Sequence, residues 1–158
     1  MPFWGIMADL GRGWHSVTVR VSALDGRGQS SLRGSPDEVT NYVSLGCWWS
    51  INQPKSGIIF DFHGKTVQLT GYSLKSGDRY HLLHWALDGS FSPRNSQRKW
   101  HRIDERFTHD LNGNWVSKTY PTWSRPVRLL RIRQIGKNSE GNDIMCLSAV
   151  EFFGTLSG

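Results

Sequence analysis

The sequence predicts an all-β fold, a jelly-roll β-sandwich of about eight antiparallel strands forming one domain over residues 1–158. Three observations point there. Short apolar or alternating runs recur along the chain, clusters of Gly, Asn, Asp, Ser and Pro separate them, and only one segment carries the marks of a helix.

In chain order the runs are 16–21, 57–62, 66–75, 82–87, 100–106, 117–120, 127–134 and 146–153. The turn clusters between them lie at 25–28, 52–57, 63–65, 76–78, 90–96, 112–114 and 136–143, rich in residues that accept positive φ or hydrogen-bond their own backbone. Segment 35–43 suits one short helix, with Ser35 as N-cap, Pro36 at the first position and Glu38 three residues beyond the cap. In 130–133 the period is two: Leu130 and Ile132 face one way, Arg131 and Arg133 the other, as a half-buried strand requires. Residues 58–62 are apolar almost throughout, which predicts a central strand covered on both faces. Antiparallel succession then sorts the connections by parity. Connections 22–56, 76–81, 107–116 and 135–145 fall at one end of the sandwich; 63–66, 88–99 and 121–126 fall at the other, together with both termini.

With 37% hydrophobic residues the apolar content is modest, but eight Trp and seven Phe supply core volume, since a large aromatic side chain buries roughly 150–250 Å². The formal net charge of +6 favours acidic partners. The two cysteines, Cys47 and Cys146, read as free and buried, as in cytosolic proteins. There is no Asn-x-Ser/Thr sequon, no leader pattern and no apolar run long enough for a membrane span, so a cytoplasmic, soluble, monomeric domain of a larger chain is expected.

Catalytic chemistry is not expected. A nucleophile elbow and a phosphate loop are absent, and the neighbours Asp104 and Glu105 point to opposite faces of one strand. No metal motif is expected either: His81 and His84, three apart, face opposite ways if both lie on a strand. No cofactor is indicated; the loop carboxylates leave a structural calcium possible but form no dense run of oxygen ligands.

Several stretches together resemble discoidin domains, also called coagulation factor V/VIII type C domains, of the galactose-binding-like superfamily. They are Trp49-Ser50-Ile51-Asn52-Gln53-Pro54 before Gly57-Ile58-Ile59-Phe60-Asp61-Phe62; Thr70-Gly71-Tyr72-Ser73-Leu74; and His84-Trp85-Ala86-Leu87-Asp88-Gly89-Ser90 before Trp100-His101-Arg102-Ile103-Asp104. Arg131-Ile132-Arg133-Gln134-Ile135-Gly136 before Leu147-Ser148-Ala149-Val150-Glu151-Phe152-Phe153-Gly154 completes the set. The resemblance covers roughly residues 5–155. The closing Asn142-Asp143-Ile144-Met145-Cys146-Leu147-Ser148-Ala149 is similar to the intracellular branch found beside BTB-type adaptor domains. Neither cysteine stands near the N-terminus, where extracellular members carry a disulfide, which points away from extracellular lipid or collagen binding. The resemblance implies a non-catalytic recognition module.

Parity and resemblance together place the ligand, a protein segment or a glycan, at the four-loop end. The candidate contacts are Trp48, Trp49, Asn52, Arg79, His81, Asn114, Trp115, Asn138, Glu140 and Asn142, aromatic faces beside polar groups of fixed hydrogen-bond direction. One of Trp48 and Trp49 is expected in the core. A secondary basic patch of Arg94, Arg98, Lys99, Arg131 and Arg133 is the case for an electrostatic binder of nucleic acid or anionic lipid. Its competing reading is a solvated strand face, or pairing with Asp104 and Glu105. A purely structural domain is the third alternative.

Overall fold

The computed structural model describes residues 5–7, 20–23, 31–34, 36–40, 46–92 and 99–158. Among these, ten strands form two antiparallel sheets: β1 (Arg20–Ala23), β2 (Ser31–Arg33), β3 (Trp48–Ser50), β4 (Gly57–Asp61), β5 (Thr66–Ser76), β6 (His84–Ser90), β7 (His101–Phe107), β8 (Ser117–Pro121), β9 (Leu129–Gln134) and β10 (Cys146–Ser157). One sheet has the order β1-β4-β9-β6-β7 and the other β2-β3-β10-β5-β8. The fold is the expected all-β sandwich of antiparallel strands. The helix expected over 35–43 is a single 3₁₀ stretch, Pro36–Thr40.

Period-two alternation makes the core. Ile58, Phe60 and Phe62 from β4 and its end, Leu130 and Ile132 from β9, and Leu69, Tyr72 and Leu74 from β5 are fully buried between the sheets. Strand β4 is central as expected, paired to β1 and β9, but it is covered on one face only: Ile59 and Asp61 are half-buried. A polar chain crosses the core, with Trp85 Nε1 donating to Tyr72 Oη at 3.0 Å and Tyr72 Oη donating to Asp104 Oδ2 at 2.6 Å. Burial and the Asp104 carboxylate push the Tyr72 phenol well above its usual range.

The registers fix which loops share an end. Gly57 pairs with Arg133, Trp85 with Gln134, His84 with Phe107 and Leu147 with Ser76. Connections 51–56, 77–83, 108–116 and 135–145 therefore meet at one end, as parity requires. Ser157 pairs with Thr66, so the end of β10 lies at the other. Strand β6 begins at His84, which leaves His81 in the loop rather than on the strand.

Candidate functional site: the four-loop end

Successive side chains on a strand point to opposite faces, and this divides the two tryptophans of β3. Trp48 enters the core, is fully buried, and donates Nε1 to Ser31 Oγ at 2.7 Å. It cannot touch a ligand, so its place among the expected contacts is corrected. Trp49 is half-buried on the other side and donates Nε1 to Asp78 Oδ1 at 3.2 Å.

Asp78 organises this region. Its Oδ1 also accepts from Cys47 Sγ at 3.1 Å, and its Oδ2 accepts from Arg33 Nη1 at 2.6 Å. Burial alone would raise the Asp78 carboxyl, but the hydrogen bonds from Cys47, Arg33 and Trp49 outweigh it and hold the group below the usual carboxylate range. The Arg33 guanidinium lies 5.0 Å over the Trp49 ring, and Tyr80 meets that ring edge-on at 5.0 Å.

Arg79 clamps two loops. Its guanidinium takes both oxygens of Glu140, with Nε to Oε2 at 2.9 Å and Nη2 to Oε1 at 3.0 Å, while lying 4.6 Å over Tyr80. The Arg79 hydrogen bonds hold the Glu140 carboxyl below its usual range. His81 joins the third loop. Its Nε2 lies 2.9 Å from Asn114 Oδ1, and its Nδ1 lies 3.3 Å from both Gly113 N and Asn112 Oδ1.

The last loop is held from within. Asn138 is buried; its Nδ2 donates to Asn142 Oδ1 at 2.6 Å and Ile144 O at 2.7 Å, and its Oδ1 accepts from Glu140 N at 2.9 Å. Asn138 is thus a loop staple rather than a contact, a second correction. Asn142 Oδ1 is shared with Ile144 N at 3.1 Å, and Asn52 Oδ1 accepts from Asp143 N at 2.9 Å, tying the 51–56 connection to the last loop.

Two large aromatic residues at this end adopt left-handed backbone, Tyr80 at φ 52° and Trp115 at φ 59°. For bulky side chains such conformations cost of order 1–3 kcal/mol and persist only where surrounding contacts over-determine them. Here Tyr80 N–H is fixed to Glu140 Oε2 at 3.3 Å, and Trp115 follows Asn114 out of the His81 bond.

The arrangement therefore offers half-exposed rings of Trp49, Tyr80 and Trp115 beside the directed polar groups of Arg79, His81, Asn114 and Glu140. Arg33, Asp78 and Tyr80 escaped the sequence reading. The signal for Tyr80 was its place between Arg79 and His81 in a tight loop; Asp78 read only as a turn former, and nothing in the sequence ties Arg33 to Trp49.

The secondary basic patch is partly paired where it is described. Asp88, nearly fully buried, accepts from Arg131 Nη2 at 2.8 Å and Nε at 3.0 Å and from Arg102 Nε at 2.8 Å, with Arg133 Nη2 at 4.0 Å. Arg102 also pairs with Glu105, and Arg131 stacks 4.2 Å over Trp100. The partner of Arg131 and Arg133 is thus Asp88, not Asp104 or Glu105; Asp104 instead takes Arg106 at 2.9 Å. Lys99 is exposed, while Arg94 and Arg98 lie outside the described residues. A separate concavity of about 560 Å³ lies at the opposite end, between Phe91, Ile103, Trp123 and Val127.

No protein-family profile matches the sequence. No curated protein matches it either. Solved structures do. CpGH89CBM32-5 from Clostridium perfringens, in complex with GalNAc-β-1,3-galactose, superposes with a TM-score of 0.67 at 11% identity, over 86% of this chain and 95% of that one. The fold is that of these modules. The family 32 CBM from C. perfringens NanJ, in complex with galactose, gives 0.61 at 9% identity over 85% and 92%. The CBM32 of AlyQ, in complex with 4,5-unsaturated mannuronic acid, gives 0.62 at 17% identity over 89% and 100%. These likenesses carry the galactose-binding-like fold; they lend no support to the intracellular, adaptor-associated branch.

Proposed function

We propose that the chain is a non-catalytic glycan-recognition module whose site is the four-loop end. The observation that carries this reading is the pair of strained aromatic residues, Tyr80 and Trp115, beside Arg79, His81, Asn114 and Glu140 on three converging loops. Two strained aromatic residues at this rim, beside fixed polar groups, suit a saccharide: rings stack on its C–H face while fixed donors and acceptors read its hydroxyls. Three similarly folded modules solved in complex with saccharides support the choice of glycan over a protein segment. The electrostatic alternative is weakened because Asp88 engages Arg102 and Arg131. The reading also holds the module to be one domain of a larger chain in a reducing compartment, in keeping with the free thiols of Cys47 and Cys146.

The test is calorimetric titration with galactose, an N-acetylgalactosamine-containing disaccharide and a uronic acid, followed by a glycan array. At least one saccharide should bind the wild type and lose binding in the Arg79→Ala, Trp115→Ala double variant, with circular dichroism unchanged. Saccharide binding that survives the double change would place the site elsewhere, and a blank array would remove the glycan reading.

A further inference from the structure

Beneath the loop end lies a cluster that the glycan reading does not use. Cys47 precedes β3, Cys146 opens β10 opposite Trp49, and Asp78 reaches in from the connection after β5. The two sulfurs and one Asp78 oxygen all lie within 4.8 Å of one another. Both cysteines are buried and free.

We propose that Cys47, Asp78 and Cys146 form a binding site for a thiophilic divalent cation of the zinc type, with a fourth position open to water. Four observations carry it. First, the spacing fits. An ion equidistant from three atoms no more than 4.8 Å apart lies under about 3 Å from each, and small side-chain rotations bring these to about 2.3 Å for sulfur and 2.0–2.2 Å for oxygen. Second, a proton already occupies the place of the ion: the Cys47 thiol points at Asp78 Oδ1, 3.1 Å away.

Third, Gly77 leaves the two sulfurs room to share one site: a Cβ there would stand 2.4 Å from Cys146 Sγ and 3.4 Å from Cys47 Sγ. Fourth, the charge balances. Asp78 and Arg33 are an ion pair with two neutral thiols beside them; a divalent cation that displaces both thiol protons leaves the cluster neutral again. Arg33 can remain on Oδ2 while the cation takes Oδ1. The way in runs past Arg33 and Asp78, whose side chains are 53% and 30% exposed.

The donor set of two sulfurs and a carboxylate selects zinc or cobalt(II) over calcium or magnesium. The two thiols are hidden in sequence because 98 residues separate them and only the β3–β10 pairing brings them together. The site does not depend on the glycan reading, and its test contains no saccharide.

The probe is Co²⁺ added to the full chain under a non-thiol reductant, read by absorption and then displaced by Zn²⁺. One ion per chain should bind, with a sulfur-to-cobalt charge-transfer band and intense tetrahedral d–d bands, and Zn²⁺ should abolish both. Cys47→Ser with Cys146→Ser should remove the charge-transfer band. Asp78→Asn should keep the band but weaken binding by about tenfold or more. A wild-type titration without a charge-transfer band overturns the proposal whatever the variants do, as does an unchanged band in the double serine variant. Ca²⁺ displacing Co²⁺ as well as Zn²⁺ does would overturn it too.

Discussion

Replacing Asp88 by alanine should be among the most damaging single changes outside the apolar core. Its carboxylate is 3% exposed and receives both donors of Arg131, which is itself only 11% exposed. Burial already lowers the Arg131 guanidinium from its ordinary value, a sign of how little water reaches it. Removing one partner of such a pair costs about 3–5 kcal/mol because a buried charge is left uncompensated. The Trp100 face, 4.2 Å away, offsets about 1 kcal/mol of that. Arg102 is 42% exposed and keeps Glu105, so its share is at most about 1 kcal/mol. The net expectation is a loss of about 3 kcal/mol. In urea, with m of about 2 kcal/mol/M for a domain of this size, the midpoint should fall by about 1.5 M. Unfolding followed by tryptophan fluorescence measures it. The decisive control is Asp88→Ala combined with Arg131→Met, which should be more stable than Asp88→Ala alone. A single-variant loss below about 1 kcal/mol, or strict additivity in the cycle, would refute the account of the Arg131–Asp88 pair.

Gly154 sits at a bulge of β10 with φ 148°, and a Cβ there would lie 1.9 Å from Gln68 O, so Gly154→Ala should cost about 3 kcal/mol and lower Tm by about 6–12 °C in calorimetry. Asn138→Ala strands the Glu140 N–H and part of the Ile144 carbonyl, and should cost about 2 kcal/mol while speeding amide exchange across 139–143. The Asp78 carboxyl is depressed in the folded protein, so its stabilisation is complete above its unfolded value near about 3.9 and is lost as pH falls through the lower folded value. The stability gap between wild type and Asp78→Asn should therefore be constant near neutrality and narrow below about pH 4; a gap that widens on acidification would reverse the assignment.

The long strands were legible for two reasons: β9 keeps period two, while β5 and β10 carry apolar runs long enough to register, with 71–74 and 146–152 buried on both faces. Strands β2 and β3 were not, since three residues carry no period and both are defined by non-local partners, Ser31 by Ser50 and Trp49 by Cys146. Parity placed the loops because antiparallel succession is a property of connectivity, indifferent to side chains. Residue roles within those loops were another matter. Arg79, His81, Asn114 and Glu140 come together as a cluster, but Trp48 and Asn138 turn inward, a difference set by strand phase and by backbone groups that need partners. Composition could not reveal that Arg131 and Arg102 converge on one buried carboxylate, since Asp88 lies 43 residues from Arg131 in the chain.

The length of β10 has a mechanical consequence. The strand runs from Cys146, under the loop end, to Ser157 at the far end, paired with β5 nearly throughout. A pull applied between the loop end and Ser157 acts along this strand, across rather than along its inter-strand hydrogen bonds. Those bonds are then loaded together in shear, instead of being peeled apart one after another from an end. The sandwich therefore resists tension along its long axis.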